Sequence, residues 1–141
     1  MGSILMKTKG IILVTGCSGL VGTHLCNKLE TKGYSVVGVD IKYSPALPES
    51  DTFLFQDIDL RDADDVNVLF EQYKFDGVIN AFGIKGSPIR AKESPLDFLE
   101  PSIKVNTNII ENSHKHNCWL VFMSSVGVYE PAEVFVEDTV W

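Results

Sequence analysis

At 141 residues and 15.6 kDa the chain has room for one domain and little room for two. Its 45% hydrophobic and 22% charged residues are globular proportions, which exclude a disordered or fibrous chain. With 19 Asp+Glu against 12 Lys+Arg, a formal charge of −7 and no basic run, it lacks the footprint that neutralises nucleic-acid phosphates. Apolar runs such as residues 11–14 and 119–123 are too short to cross a bilayer. Three cysteines, Cys17, Cys26 and Cys118, form no C-x-x-C pair, so a reducing compartment, the cytoplasm, is expected, without disulfides or zinc. The apolar stretch at Ile4 and Leu5 is too short for a secretory signal, and residues 1–9 are expected to be flexible or an added leader.

Strand-like and helix-like segments then alternate. Residues 10–15 are a continuous apolar run ending before Gly16, the pattern of a strand buried on both faces. Between residues 20 and 32, Val21, Leu25 and Leu29 recur every four positions and predict one buried helical face, closed by Gly33. Residues 34–40, with Val36, Val37 and Val39, read as a second strand. A loop containing Ser44, Pro45 and Pro48 leads to a short third strand at 52–56. Val66, Leu69, Phe70 and Tyr73 mark a helix over 62–73, with Asp62 as N-cap and Asp65 as its capping-box partner. Residues 76–82 are a fourth strand, and turn residues without a period predict a loop over 83–94. Ser94 is placed to cap a short helix with Pro95 at its first position, and Pro101 to break or restart it. A longer helix follows to residue 116 with Ile103, Asn106 and Ile110 on one side, and residues 119–123 are a fifth strand.

This cadence predicts an α/β fold, a Rossmann-like doubly wound parallel sheet of order 3-2-1-4-5 flanked by helices, in a single domain over residues 1–141. The outer edge of the fifth strand lacks a sixth neighbour. The chain by itself is therefore expected to be marginally stable or self-associating, with a homodimer among the outcomes.

The strongest chemical signal is Thr15-Gly16-Cys17-Ser18-Gly19-Leu20-Val21-Gly22, a G-x-x-G-x-x-G spacing between a buried strand and an amphipathic helix. The first glycine permits a tight turn and the middle one lets backbone amides approach a diphosphate. The third lets helix pack on sheet, with the anion at the helix N-terminus. The competing reading is a glycine-rich turn that binds nothing. Asp40 closes the second strand, where a carboxylate can accept the adenosine-ribose hydroxyls and repel a 2′-phosphate, so NAD is expected rather than NADP. Lys42 nearby is the residue that could meet such a phosphate instead.

Together with that motif, Asp59-Leu60-Arg61-Asp62, Asn80-Ala81-Phe82-Gly83, Asn106 and the run from Ser124 and Ser125 to Tyr129 resemble the extended short-chain dehydrogenase/reductase family. The resemblance is closest to its NAD-dependent sugar-nucleotide epimerases and dehydratases, the UDP-glucose 4-epimerase kind, and runs from about Gly10 to Tyr129. It implies hydride transfer between a nucleotide-sugar substrate and the nicotinamide. It further implies that Asp59 and Leu60 border the adenine, the carboxylate reaching its exocyclic amine. Ala81, Phe82 and Gly83 would line the dinucleotide, Lys85 would reach the cofactor and Asn106 would stand near the active site. Ser125 would hydrogen-bond the reacting sugar oxygen, with Ser124 on the cofactor side. Against these stand plainer roles: helix capping for Asp59 and Asp62, backbone satisfaction for Asn106 and a turn for Ser124-Ser125.

Glu130 stands where the family usually has glycine, and no tyrosine is followed four residues on by lysine. The resemblance implies that such a Tyr-x-x-x-Lys pair supplies the acid/base, a contribution of about 10²–10⁴-fold in rate. The chain is therefore expected to be the cofactor-binding portion of such an enzyme, binding without turnover. The alternatives are a non-enzymatic dinucleotide-sensing or assembly module, and part of a reductase acting on a non-sugar alcohol. His114, His116 and Cys118 are expected at a solvated helix end rather than around a metal, and His24 at or near the surface. Cys17, at a helix N-terminus, is a bystander whose thiol could be acidified there.

Overall fold

A computed structural model describes residues 8–84, 86–125, 129, 133, 134, 136 and 138. Nine elements follow in order: β1 (Ile11–Thr15), α1 (Leu20–Thr31), β2 (Ser35–Asp40), β3 (Phe53–Asp57), α2 (Ala63–Gln72), β4 (Gly77–Asn80), α3 (Pro88–Glu93), α4 (Leu96–Lys115) and β5 (Trp119–Phe122). The five strands form one sheet of order β3-β2-β1-β4-β5, with every neighbouring pair parallel, as the alternation of elements predicts. Thr8 and Lys9 already belong to the fold: Ser35 Oγ donates to Thr8 Oγ1 at 3.3 Å and the Lys9 amide to Gly33 O at 2.9 Å.

Successive side chains of a strand point to opposite faces, so a central parallel strand must be apolar at every position. On β1, Leu13 faces a core formed with Val37, Val39 and Val78 of the sheet, Leu69 and Phe70 of α2, and Val105 and Ile109 of α4. Ile12 and Val14 face the other way, onto Cys26, Leu25 and Leu29 of α1. Burying each Val, Leu or Ile contributes about 1.5–3 kcal/mol, so the two layers secure the central strands and fix their common direction. All carboxyl ends therefore emerge at one edge.

The helices depart from expectation in instructive ways. Pro101 does not break α4, which runs unbroken through it. Proline removes one ladder donor near the helix start, and its ring is buried, while Ser102 Oγ donates to Phe98 O at 2.6 Å. The inward face of α4 is Pro101, Val105, Ile109, Asn112 and Ser113, whereas Ile103 and Ile110 are 55% and 48% exposed. The inward face of α1 is likewise centred on Gly22 and Cys26, with Val21 exposed. Within the stretch expected to be a loop, Ser87 caps α3 by accepting from the Arg90 amide at 3.1 Å. Asp62 caps α2, accepting from the Asp64 and Asp65 amides at 2.9 and 3.3 Å. Its own amide goes to Asp59 O at 3.0 Å rather than to an Asp65 side chain, so the reciprocal half of the capping box is not formed.

Candidate functional site: a cavity at the carboxyl edge

Where β1 ends, Gly16 takes φ +61°, and a Cβ there would lie 2.8 Å from Ala81 O. The bend is thus pressed against the end of β4. A Cβ on Gly22 would lie 2.1 Å from Gly16 O, so the first turn of α1 can close over the bend only with glycine there. Gly19 is the N-cap of α1 in extended geometry; no side chain caps the helix and no acid occupies its first turn. Its amide is used within the bend, donating to Gly16 O at 3.0 Å, as the Cys17 amide is by Val39 O at 3.2 Å. The amides of Leu20 and Val21, the first of the helix, are left without an intrahelical acceptor at the positive end of the helix dipole.

Asp40, at the end of β2, faces the same bend. Its Oδ2 accepts from the Ser18 amide at 3.1 Å and its Oδ1 from the Ile41 amide at 2.8 Å, while Ser18 Oγ donates to Lys42 O. Bend and β2 loop are thereby tied together. Gly16, Asp40 and Ile41 form one wall of a cavity of about 290 Å³. Ile58, Asp59, Leu60 and Arg61 from the β3–α2 connection, Phe82 and Ile84 after β4, and Asp97, Pro101 and Val105 of α4 complete it. The walls are largely apolar and the rim carries three carboxylates against one guanidinium. Arg61 Nε donates to Asp59 Oδ1 and Oδ2 at 2.9 and 3.0 Å, Arg61 Nη2 to Oδ2 at 2.5 Å, and the Arg61 amide to Oδ1 at 3.0 Å. These bonds hold the Asp59 carboxyl below its ordinary range.

Beneath the cavity a polar chain crosses the sheet: Thr15 Oγ1 donates to Asn80 Oδ1 at 2.5 Å, and Asn80 Nδ2 to Asn106 Oδ1 at 3.0 Å. The Asn106 carbonyl oxygen therefore satisfies a buried side chain of β4. Asn108 Nδ2 donates to Leu60 O at 2.9 Å, fixing the cavity's far wall to α4.

A dinucleotide fits these residues. Gly16 and Gly22 let the bend pack tightly on Ala81 and on the first turn of α1, uncapped amides wait at the helix N-terminus, and an apolar slot with a carboxylate rim lies alongside. The family model described as NAD dependent epimerase/dehydratase matches residues 12–140. The chain belongs to the NAD-dependent epimerase/dehydratase family. It is 34% identical over 143 aligned residues to a UDP-glucose 4-epimerase of Pisum sativum, an alignment covering 90% of this chain and 40% of that one. A solved UDP-glucose 4-epimerase superposes with a TM-score of 0.81 at 25% identity, over 92% of this chain and 40% of the other. The UDP-glucose 4-epimerase of Bifidobacterium longum, solved with NAD+ and UDP, gives 0.73 at 27% identity, over 84% and 38%. The chain thus spans about 40% of the length of the curated relatives it matches.

Within this family member the structure gathers Gly16, Asp40, Asp59, Leu60 and Phe82 around one cavity, with Ser18 tied to Asp40. Ala81 packs on the bend, Gly19 and Gly22 shape the entry of α1, and the Leu20 and Val21 side chains point to solvent. Gly83 is exposed beside the cavity, with open space where a side chain would stand. Ser124 and Ser125 are exposed just past β5, outside the cavity lining. Lys85 and residues 126–128 lie outside the described residues.

Two expectations are corrected. Cys17 turns into the core rather than toward the helix amides, and burial pushes its thiol up to about 12. His116 is half-buried rather than fully solvated: its ring lies 5.5 Å from that of Phe70, and among the described residues its buried Nε2 has no partner, while His114 is exposed as expected. Among the described residues no His, Cys, Asp or Glu group could hold a metal, and no helix is long and apolar enough to cross a membrane. Of the apolar lining the sequence points to Leu60 and Phe82 but not to Val39, Ile41, Ile58, Ile84, Pro101 and Val105, and it gives no role to Asp97 or to Arg61, whose cue is its place two residues after Asp59.

Proposed function

We propose that this chain is the NAD-binding part of a sugar-nucleotide epimerase or dehydratase. One observation carries the reading: an uncapped helix entry built on glycine and the Asp40 carboxylate are hydrogen-bonded together at the mouth of one apolar cavity. The amides at the start of α1 hold the diphosphate, Asp40 takes the adenosine ribose, and Asp59 and Leu60 border the base. A bound nicotinamide supplies the hydride acceptor. Ser125 orients the sugar oxygen of a nucleotide-sugar substrate, Ser124 flanks the cofactor, Lys85 reaches it and Asn106 supports β4 from below.

The sequence contains no Tyr-x-x-x-Lys pair, which supports a chain that binds cofactor without turning over substrate by itself. All three thiols are free, which supports a cytoplasmic setting. Leu96, Leu99, Ile103 and Ile110 are exposed along the outer side of α4, and this stripe supports a homodimer.

Calorimetric titration tests the cofactor assignment. NAD is expected to bind, NADP to bind more weakly, and Asp40→Ala to narrow that gap. No heat at millimolar NAD, together with no effect of Asp40→Ala, overturns the assignment.

A further inference from the structure

The Asp40 carboxylate is aimed by a chain of contacts that begins one residue past the last glycine of the bend, at Thr23. This threonine is half-buried in the first turn of α1 and lies outside the cavity lining. Its hydroxyl donates to Gly19 O at 2.7 Å and to Cys17 O at 3.2 Å, one proton shared between two carbonyls. The first contact is the ordinary bond of a helical threonine to the carbonyl four residues back. The second is not, because Cys17 stands six residues back and outside the helix. The Cys17 carbonyl and the Ser18 amide belong to one planar peptide unit, in which C=O and N–H point in opposite directions. That amide donates to Asp40 Oδ2 at 3.1 Å. One rigid plane is therefore gripped at both ends, by the Thr23 hydroxyl and by the Asp40 carboxylate. Asp40 Oδ1 is held by the amide of its own neighbour Ile41, so the Ser18 amide is what fixes the carboxylate to the bend.

We propose that Thr23 is a positioning residue for the cofactor: through the Cys17–Ser18 peptide its hydroxyl sets the orientation in which Asp40 meets the adenosine ribose, and with it the preference for NAD over NADP. Released at its carbonyl, the peptide can rotate and carry the Ser18 amide off Asp40. The carboxylate then loses the partner that aims it. It grips the ribose hydroxyls less well and stands less squarely against a 2′-phosphate. This inference rests on the NAD-binding reading above and adds a determinant to the same site.

The test is calorimetric titration of the 141-residue chain with NAD and with NADP, on the native sequence, Thr23→Val, Thr23→Ser and Asp40→Ala, with circular dichroism confirming each fold. Thr23→Val keeps the shape and loses the donor, so NAD should bind about tenfold more weakly, the scale of one hydrogen bond to a charged group. The ratio of NAD to NADP affinity should fall at least about threefold with it. Thr23→Ser restores the donor, and both values should return to within about twofold of native. Added to Asp40→Ala, Thr23→Val should change NAD affinity by less than about twofold, because its effect passes through Asp40. Where Thr23→Val does not fold, Thr23→Ala, the stronger helix former, carries the same expectation. Native affinity and ratio in the folded hydroxyl-free variant overturn the inference. An equal loss in Thr23→Ser overturns it too, by tracing the effect to the γ-methyl group, as does a full effect of Thr23→Val retained beside Asp40→Ala. Each of these leaves the cofactor reading standing. Binding of neither dinucleotide by the native chain removes the cofactor reading and this inference with it.

Discussion

Helices α1 and α2 both leave the carboxyl edge of the same sheet, yet their first turns are finished in opposite ways. The entry to α2 is complete in itself: Asp62 accepts from the Asp64 and Asp65 amides, and those two residues add their own carboxylates to the positive end of the dipole. The entry to α1 has a glycine N-cap, no side-chain cap and no acid in its first turn. A glycine in place of a side-chain cap costs only a few tenths of a kcal/mol, and α1 has that glycine, Gly19, beside a bend where Gly22 is enforced by Gly16 O, 2.1 Å from where its Cβ would stand. A helix start left open where the neighbouring one is closed supports the proposal that an external anion completes the structure there.

The largest expected effect comes from filling the bend. Gly22→Val places side-chain atoms against Gly16 O and Cys17 Cα, and should lower stability by about 1–3 kcal/mol or more while abolishing the heat of NAD binding. Thermal melts and titration check both, and normal affinity in this variant would break the contrast.

Next in size is a swap that gives α1 the ending of α2. Gly19 has backbone angles any residue can adopt, φ −74° and ψ 172°, but a Cβ there would lie 3.2 Å from Gly16 O, so the gain of about 0.3–1 kcal/mol from an acid at a helix start is set against that contact and Gly19→Asp should leave stability about level. The new carboxylate occupies the amides and repels a diphosphate, so NAD affinity should drop about tenfold or more. The reciprocal change, Asp62→Ala, should cost about 1 kcal/mol by denaturant unfolding and leave NAD affinity untouched.

At neutral pH the smallest effect concerns the thiols. The N-terminus of α1 would acidify a thiol facing it, but Cys17 and Cys26 are both buried and pushed from 9.0 up to about 12. At neutral pH neither should react with iodoacetamide in the native chain, as read by mass spectrometry. Their folded values lie above the unfolded ones, so their contribution is intact below about 9 and stability should fall as pH climbs from there toward 12.

What could be read from residues alone follows the range of the forces involved. The glycine bend and the Asp62 cap arise from residues close in sequence, and the sheet order follows from continuous apolar runs alternating with helices, a cadence that admits few topologies, so all three stand as read. The inward face of α4 was misassigned because that helix carries two apolar stripes: 101, 105 and 109 pack on the sheet, and 96, 99, 103 and 110 do not. Period alone cannot say which of two stripes finds the core. Pro101 looked like a breaker because propensity is local, whereas its buried ring is secured by packing against distant elements. The fork of Arg61 onto Asp59 was not legible because it depends on the turn of the backbone between them, and the cavity walls beyond Leu60 and Phe82 were not because they come from separate strands and helices.

The decisive measurement is an amide nuclear magnetic resonance titration of the isotope-labelled chain with NAD. Saturable shifts are expected in the amides of residues 16–22 and of Asp40 and Ile41, with those of residues 62–65 staying in place. Shifts confined to the entry of α2, or none at the glycine bend at saturating dinucleotide, would contradict the claim that the open start of α1 is the diphosphate site.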